Sequence, residues 1–111
     1  MKLVTAVARP EKLEEVTNAV TDAGARGLTA PETRGSGQQY GHVSRGSGPS
    51  RPALLPKIRV DVAVREEYAD AVVGAIAKCA NTGMIGDGKT WVTVLDSAMR
   101  VRPANVTPLA V

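Results

Sequence analysis

Residues 83–90, Gly-Met-Ile-Gly-Asp-Gly-Lys-Thr, form the segment of the chain best suited to chemistry with phosphate. Its three glycines allow backbone N–H groups to converge on an anion, and Lys89 adds a full positive charge beside them. Letter by letter, the segment satisfies G-x-x-x-x-G-K-[ST], the signature of phosphate-binding loops in nucleotide hydrolases. The pattern therefore indicates a site for a nucleotide phosphate.

The order of the neighbouring elements argues against hydrolysis. A catalytic loop of this class follows a strand and opens a helix, so that the helix N-terminus faces the phosphates. Here a helical pattern precedes residue 83, and a strand pattern follows from Thr90. Three interpretations stay open: phosphate contact without catalysis, a purely structural glycine turn, and a nucleotide hydrolase. We predict the first and assign no catalytic residue.

Arg100 and Arg102 form a second candidate group for binding an anion. A short strand is expected over residues 98–102, and a spacing of two on a strand places both side chains on one face. Two guanidinium groups on one face can clamp a phosphate. The alternative is an exposed strand face whose charges are solvated.

Composition excludes several other classes of function. With 111 residues the chain is expected to form one domain, and with no Phe and one Trp its core must be aliphatic. A net charge of +3, without a clustered basic face or stacking aromatics, does not fit nucleic-acid binding. Apolar runs are too short for membrane insertion. His42 has no second His or Cys at ligand spacing, so no metal site is predicted.

Hydrophobic periodicity predicts the order β-α-β, a long loop, then β-α-β. Strands are expected over residues 2–8, 27–34, 57–65, 90–96 and 98–102, and helices from Pro10 to about residue 24 and over residues 66–80. Pro31 weakens the second strand and indicates an irregular or edge position. This order is the ferredoxin-like split βαβ, an α+β fold with both helices on one face of an antiparallel sheet. Because the other face also carries apolar side chains, an oligomer is expected to cover it.

Several segments, in order along nearly the whole chain, resemble the PII family of signal-transduction proteins. Residues 82–89 are similar to the family signature TGxIGDGK. Residues 1–6 and 9–13 resemble the family's start, residues 34–42 and 55–58 resemble the two ends of its long T-loop, and Arg100-x-Arg102 resembles its closing basic pair.

The resemblance implies a homotrimer that binds ATP, ADP or AMP in the clefts between subunits, with no enzymatic activity and no bound cofactor. The residues carried over by position as nucleotide ligands are Gly37, Gln39, Asp61, Gly86, Asp87, Gly88, Lys89, Arg100 and Arg102. Residues 35–56 correspond to the T-loop, which docks on a partner protein that the sequence does not name. Residues 103–111 are expected to be a loosely held tail of the single domain.

The T-loop departs from the family pattern. Both tyrosines of the usual Tyr-Arg-Gly-x-x-Tyr motif are absent, and Tyr40 lies too early to replace them. Modification of a tyrosine and docking on the usual nitrogen-assimilation targets therefore lose their basis in this sequence. Arg45 and Arg51 offer cations for a small anion such as bicarbonate, whereas Gln39 and Lys57 match positions that bind 2-oxoglutarate with metal-bound ATP.

Two regulatory functions are consistent with these features. The first is a regulator of inorganic-carbon metabolism that responds to adenine nucleotides and bicarbonate, placed in the cytoplasm or at the carboxysome. The alternative is a nitrogen-regulatory protein that senses ATP, ADP and 2-oxoglutarate. The strand-like start, residues 2–8, lacks the order of charged and apolar regions of a signal peptide, which favours the cytoplasm in both cases. A nucleotide hydrolase and a purely structural oligomer are the remaining classes.

Overall fold

A four-stranded antiparallel sheet carries two helices in the order βαββαβ. The structure is a computed structural model that describes residues 1–37 and 54–102. Its elements are β1 (Lys2–Ala8), α1 (Leu13–Asp22), β2 (Glu32–Gly35), β3 (Leu55–Val64), α2 (Ala69–Ala80) and β4 (Gly88–Val94). The strand order is β2-β3-β1-β4, so β1 is paired on both sides. The predicted ferredoxin-like fold is confirmed.

Small aliphatic side chains build the core between the helices and the sheet. Val4 and Ala6 of β1 lie opposite Val62 and Val60 of β3, and all four are almost completely buried. Directly opposed residues share a face of an antiparallel sheet, so this side packs on the helices. The helices contribute Val16, Val20, Ala69, Val72, Ile76 and Ala80.

Both helices begin with a 3₁₀ turn, at Pro10–Lys12 and at Glu66–Tyr68. The regular α-helices therefore start about one turn later than the sequence pattern predicts, as helix ends commonly do. Pro10 occupies the first turn, where its missing N–H costs no helical hydrogen bond. Gly24 follows α1 with a φ of 116°, a left-handed conformation that suits glycine. Among the described residues no helix has the length and apolarity needed to cross a membrane.

The second predicted strand is shorter than expected and lies at the sheet edge. Regular pairing with β3 covers only Glu32–Gly35, while Thr29 forms an isolated bridge with Asp61. Between them, the Pro31 carbonyl accepts a hydrogen bond from the Arg59 N–H at 3.1 Å. Because proline has no N–H to return a bond, the ladder is interrupted at this point. The predicted edge position is confirmed.

The predicted last strand over residues 98–102 is wrong for the described part of the chain. Only Met99 is a bridge residue there, and Val101 and Arg102 lie in a bend. β4 also runs from Gly88 rather than from Thr90, because its ladder with β1 begins where Ala8 lies opposite Gly88. The expectation that a strand places Arg100 and Arg102 on one face therefore fails.

At Gly88, β4 lies too close to β1 to leave room for a side chain. Its φ is 103°, and a Cβ built there would overlap the Val7 carbonyl oxygen and lie 2.7 Å from the Val7 carbonyl carbon. A side chain at this position would both strain the backbone and push β4 off the sheet.

We predict that Gly88→Ala destabilises the protein by at least about 3 kcal/mol, because backbone strain and overpacking act together. Gly74→Ala is the matched control, since Gly74 is helical and its built Cβ meets no atom within 4 Å. That change should stabilise by about 0.5–1 kcal/mol. Urea unfolding at equal protein concentration measures both, and equal midpoints for the two variants would contradict the packing assigned to Gly88.

Candidate nucleotide site

The sheet brings four separate segments to one end of the molecule. Residues 81–89, hereafter the glycine loop, comprise the connection from α2 to β4 and the first two residues of β4, and the β1–β4 register places the loop beside the end of β1. The β2–β3 register places Thr33 opposite Lys57 and Gly35 opposite Leu55 at the same end. The base of the 35–56 loop and the glycine loop therefore face each other across the sheet end.

A cavity of about 540 Å³ lies between these segments. That volume falls within the range of roughly 300–1,000 Å³ typical of small-molecule sites. Six residues of the sequence-predicted site line it: Gly37, Lys57, Gly86, Asp87, Gly88 and Lys89. The fold thus collects in one place residues that are up to 52 positions apart in the sequence, from 37 to 89.

The Asp87 carboxylate organises the glycine loop from inside. Its Oδ2 accepts hydrogen bonds from the Thr82 N–H at 2.7 Å and the Gly83 N–H at 3.1 Å. Its Oδ1 accepts from the Thr82 hydroxyl and from Arg9 Nε, the latter at 3.1 Å. Left-handed backbone at Gly83, Gly86 and Gly88 lets the chain fold around this carboxylate. Asp87 therefore holds the loop together through its side chain.

The same contacts hold the pKa of Asp87 well below the ordinary range for an aspartate. The Thr82 hydroxyl is the largest cause, followed by the Thr82 N–H, with Arg9 and the Gly83 N–H adding smaller effects. Desolvation acts in the opposite direction and is outweighed. Hydrogen bonds to the ionised form favour that form, so the loop carries a fixed negative charge.

Lys57 is a buried cation in the cavity wall. Only 8% of the residue is exposed, and its Nζ donates a hydrogen bond to the Gly86 carbonyl oxygen at 2.9 Å. Buried lysines are rare unless paired, and a carbonyl dipole compensates the charge only in part. Lys89 is exposed at the start of β4, across from Val7. The two ammonium groups make this end of the cavity suited to an anion.

The remaining predicted residues do not join this cavity within one chain. Asp61 and Arg100 line a second cavity of about 380 Å³, together with Arg26 and Thr29. There, Asp61 accepts hydrogen bonds from the Thr5 hydroxyl at 2.8 Å and from Arg59 Nε at 3.0 Å. Arg102 is exposed and lines neither cavity. Gln39, Arg45 and Arg51 lie outside the described residues.

Residues 1–37 and 54–102 contain no cluster of three or more His, Cys, Asp or Glu side chains that could hold a metal ion. Asp87, the carboxylate of the first cavity, already accepts four hydrogen bonds. Asp61 in the second cavity is also engaged with two donors. Both carboxylates are therefore already occupied by donors of the protein.

Arg9 and Thr82 are contacts of the glycine loop that sequence reasoning does not assign to the site. In the sequence, Thr82 is only a letter of the family signature, and Arg9 is only part of the family's start. The signal for Arg9 is the strand register: if Ala8 lies opposite Gly88, the next antiparallel pair is Arg9 and Asp87. That register becomes visible only once the sheet is formed.

We predict that Asp87 remains ionised as the pH falls through the ordinary aspartate value of about 3.9. Its pKa is lower in the folded state, so its contribution to stability is present above the unfolded-state value and is lost only as the pH falls through the folded-state value. Carboxyl ¹³C NMR measures this directly. Thr82→Val removes the hydroxyl donor and should raise the pKa. An ordinary midpoint in the unmodified protein, or no change in the variant, would contradict the loop geometry.

Comparison with known proteins identifies the family of this chain. The model of the family described as "Nitrogen regulatory protein P-II" matches residues 1–105. "Nitrogen regulatory protein P-II 2" of Methanothermobacter thermautotrophicus is 46% identical over 103 residues, which are 92% of this chain and 90% of that protein. "Nitrogen regulatory protein P-II" of Rhizobium etli is 45% identical over 103 residues, 92% of each chain. "Nitrogen regulatory protein GlnK" of Escherichia coli K12 is 40% identical over 111 residues, 99% of each chain. With a family match and relatives of this identity along nearly its whole length, the chain belongs to the P-II family of nitrogen regulatory proteins.

Proposed function

We propose that this protein is a nitrogen regulator that binds adenine nucleotides at the glycine loop and 2-oxoglutarate beside them. The observation that carries the proposal is the cavity in which Lys57, Lys89 and the glycine loop meet. The relatives named above are nitrogen regulators. They therefore support the nitrogen-regulatory alternative rather than the inorganic-carbon function that the T-loop sequence favours. A role with bicarbonate or at the carboxysome has no support among them. Membership of the P-II family makes the chain a signalling protein and not an enzyme.

The first cavity has the charge and the donors that a nucleotide phosphate needs. Lys57 and Lys89 supply two positive charges, and the left-handed glycines allow backbone N–H groups of the loop to reach an anion. The one carboxylate of the loop, Asp87, is balanced by Arg9 at 3.1 Å. The local balance of charge is therefore positive, which favours binding of phosphate.

A neighbouring subunit would complete the site. One chain places Asp61 and Arg100 in the second cavity, apart from the glycine loop. The edge strand β4 exposes apolar side chains, with Val92 46% and Val94 65% exposed, and such an edge is normally covered by a partner. The family's assembly is a homotrimer. We therefore assign Asp61, Arg100 and Arg102 to a cleft between subunits, where the two cavities meet around one nucleotide.

Lys57 is the residue on which the second ligand depends. A small dicarboxylate such as 2-oxoglutarate would give this buried ammonium the full negative charge that the Gly86 carbonyl does not provide. Gln39, at the other predicted contact, lies outside the described residues and is proposed from the resemblance alone. Gly35 and Gly37, the first residues of the T-loop, line the same cavity, so a ligand there touches the segment that docks on the target protein.

We expect Lys89→Ala and Arg102→Ala each to weaken ATP and ADP binding by tenfold or more, because a hydrogen bond to a charged group contributes about 1.5–3 kcal/mol. Titration calorimetry measures the affinity. Lys78→Ala on α2 is the control, since Lys78 is exposed and lines neither cavity. Undiminished binding in both site variants would refute the site, and steady turnover of magnesium-bound ATP would instead support a nucleotide hydrolase.

We expect 2-oxoglutarate to bind the protein loaded with magnesium-bound ATP, and bicarbonate to leave nucleotide binding unchanged. Lys57→Met removes the charge while keeping an apolar stem, and should abolish the 2-oxoglutarate response. Calorimetry with each small anion distinguishes the two regulatory functions. A response to bicarbonate without one to 2-oxoglutarate would restore the inorganic-carbon hypothesis.

A further inference from the structure

Arg9 binds the glycine loop at two points. Its Nε donates to Asp87 Oδ1 at 3.1 Å, and its Nη2 donates to the Ile85 carbonyl oxygen at 2.7 Å. The contact is partly shielded, since the side chains of Arg9 and Asp87 are 27% and 22% exposed. One guanidinium thus joins the end of β1 to two residues of a loop 76 and 78 positions away.

We infer that Arg9 is a positioning residue for nucleotide binding, which holds the glycine loop in its phosphate-ready shape before any ligand arrives. The inference rests on the proposed function, because it names how the same site is kept in shape. Arg9 lines neither of the two cavities and acts through Asp87 and Ile85.

Two cations set the orientation of the loop's peptide groups. In a trans peptide the N–H points opposite to the C=O. Arg9 fixes the Ile85 carbonyl and thereby the direction of the Gly86 N–H, and Lys57 does the same for the Gly86 carbonyl and the Asp87 N–H. Two consecutive carbonyl oxygens, which would repel a phosphate, are therefore held on cations.

The backbone that carries Arg9 is itself rigidly held. Arg9 directly follows β1, and its carbonyl accepts the Lys12 N–H at 3.0 Å in the turn that opens the first helix. Pro10 restricts the backbone on its other side. The starting point of the side chain is therefore fixed, and the planar guanidinium loses less freedom per hydrogen bond than a flexible donor would.

The guanidinium group is chemically suited to this double contact. Arginine offers two separate N–H donors in fixed geometry, one for a carboxylate and one for a carbonyl. Lysine keeps the charge but is a point donor that cannot reproduce both bonds. Arg9→Lys therefore separates the positioning effect from the loss of positive charge near the phosphate.

The test measures loop protection and nucleotide affinity separately. Amide hydrogen exchange of residues 81–88 is followed in the full-length, nucleotide-free protein for Arg9→Ala, Arg9→Lys and Lys2→Ala. Lys2 is the matched control: it lies at the other end of β1, pairs with Glu66 at 3.6 Å, and its side chain is 26% exposed. We expect exchange in the loop to rise about tenfold in both Arg9 variants, as loss of charged hydrogen bonds of this kind implies, and to stay unchanged in Lys2→Ala.

Affinity for ATP should fall roughly tenfold or more in Arg9→Ala and by a comparable factor in Arg9→Lys, while affinity for adenosine, which lacks phosphate, should stay within about twofold. Unchanged loop exchange in both variants would overturn the inference. Normal ATP affinity in Arg9→Lys would also overturn it, because only the positive charge of Arg9 would then matter. If the unmodified protein bound no ATP but the Arg9 variants still lost loop protection, Arg9 would still hold the shape of the loop and the proposed function would fail. Far-ultraviolet circular dichroism verifies folding, and Arg9→Lys serves if Arg9→Ala does not fold.

Discussion

The close approach of β4 to β1 at Gly88 is the constraint on which the site depends. Glycine has no side chain to collide with the Val7 carbonyl, so the two strands can stay paired as far as Ala8 and Gly88. That pairing fixes where the glycine loop meets β4. It also places Arg9 beside Asp87, and it sets the loop against the start of β3, where Lys57 lies. The cationic end of the cavity is thus a consequence of strand register.

Three cations around the loop have different physical roles. Arg9 forms an ion pair with Asp87 and donates a hydrogen bond to the Ile85 carbonyl. Lys57 is buried and donates to the Gly86 carbonyl. Lys89 is exposed at the cavity. Of these three cations only Lys57 and Lys89 line the cavity, where Arg34 adds a further positive charge. The Asp87 carboxylate is likewise occupied within the loop, since it accepts hydrogen bonds from Thr82 and Gly83. These hydrogen bonds lower its pKa.

The letter pattern of a phosphate-binding loop and the order of elements around it carry different information. The residues of the loop are those that an anion nest requires, and their chemistry is the same whether a helix or a strand comes next. Catalysis by a nucleotide hydrolase does depend on a helix that opens after the loop, whereas here β4 begins directly at Gly88. The family match agrees with a regulator rather than an enzyme. The same distinction explains why Arg100 and Arg102, predicted on a common strand face, do not share one: a spacing of two fixes a face only if a strand forms.

The sequence by itself determined the fold class, the aliphatic core and the edge position of the second strand, and it predicted that the glycine loop binds phosphate. These follow from local patterns, namely the period of apolar residues, Pro31 and the glycine spacing, which need no distant contact to be read. Tertiary structure alone decided that Arg9 contacts the loop and that Lys57 is buried against the Gly86 carbonyl. It also decided that Asp61 and Arg100 line a second cavity, apart from the glycine loop. The physical reason is that strand pairing joins residues separated by dozens of positions, and a shift of register by one residue would change every one of these contacts.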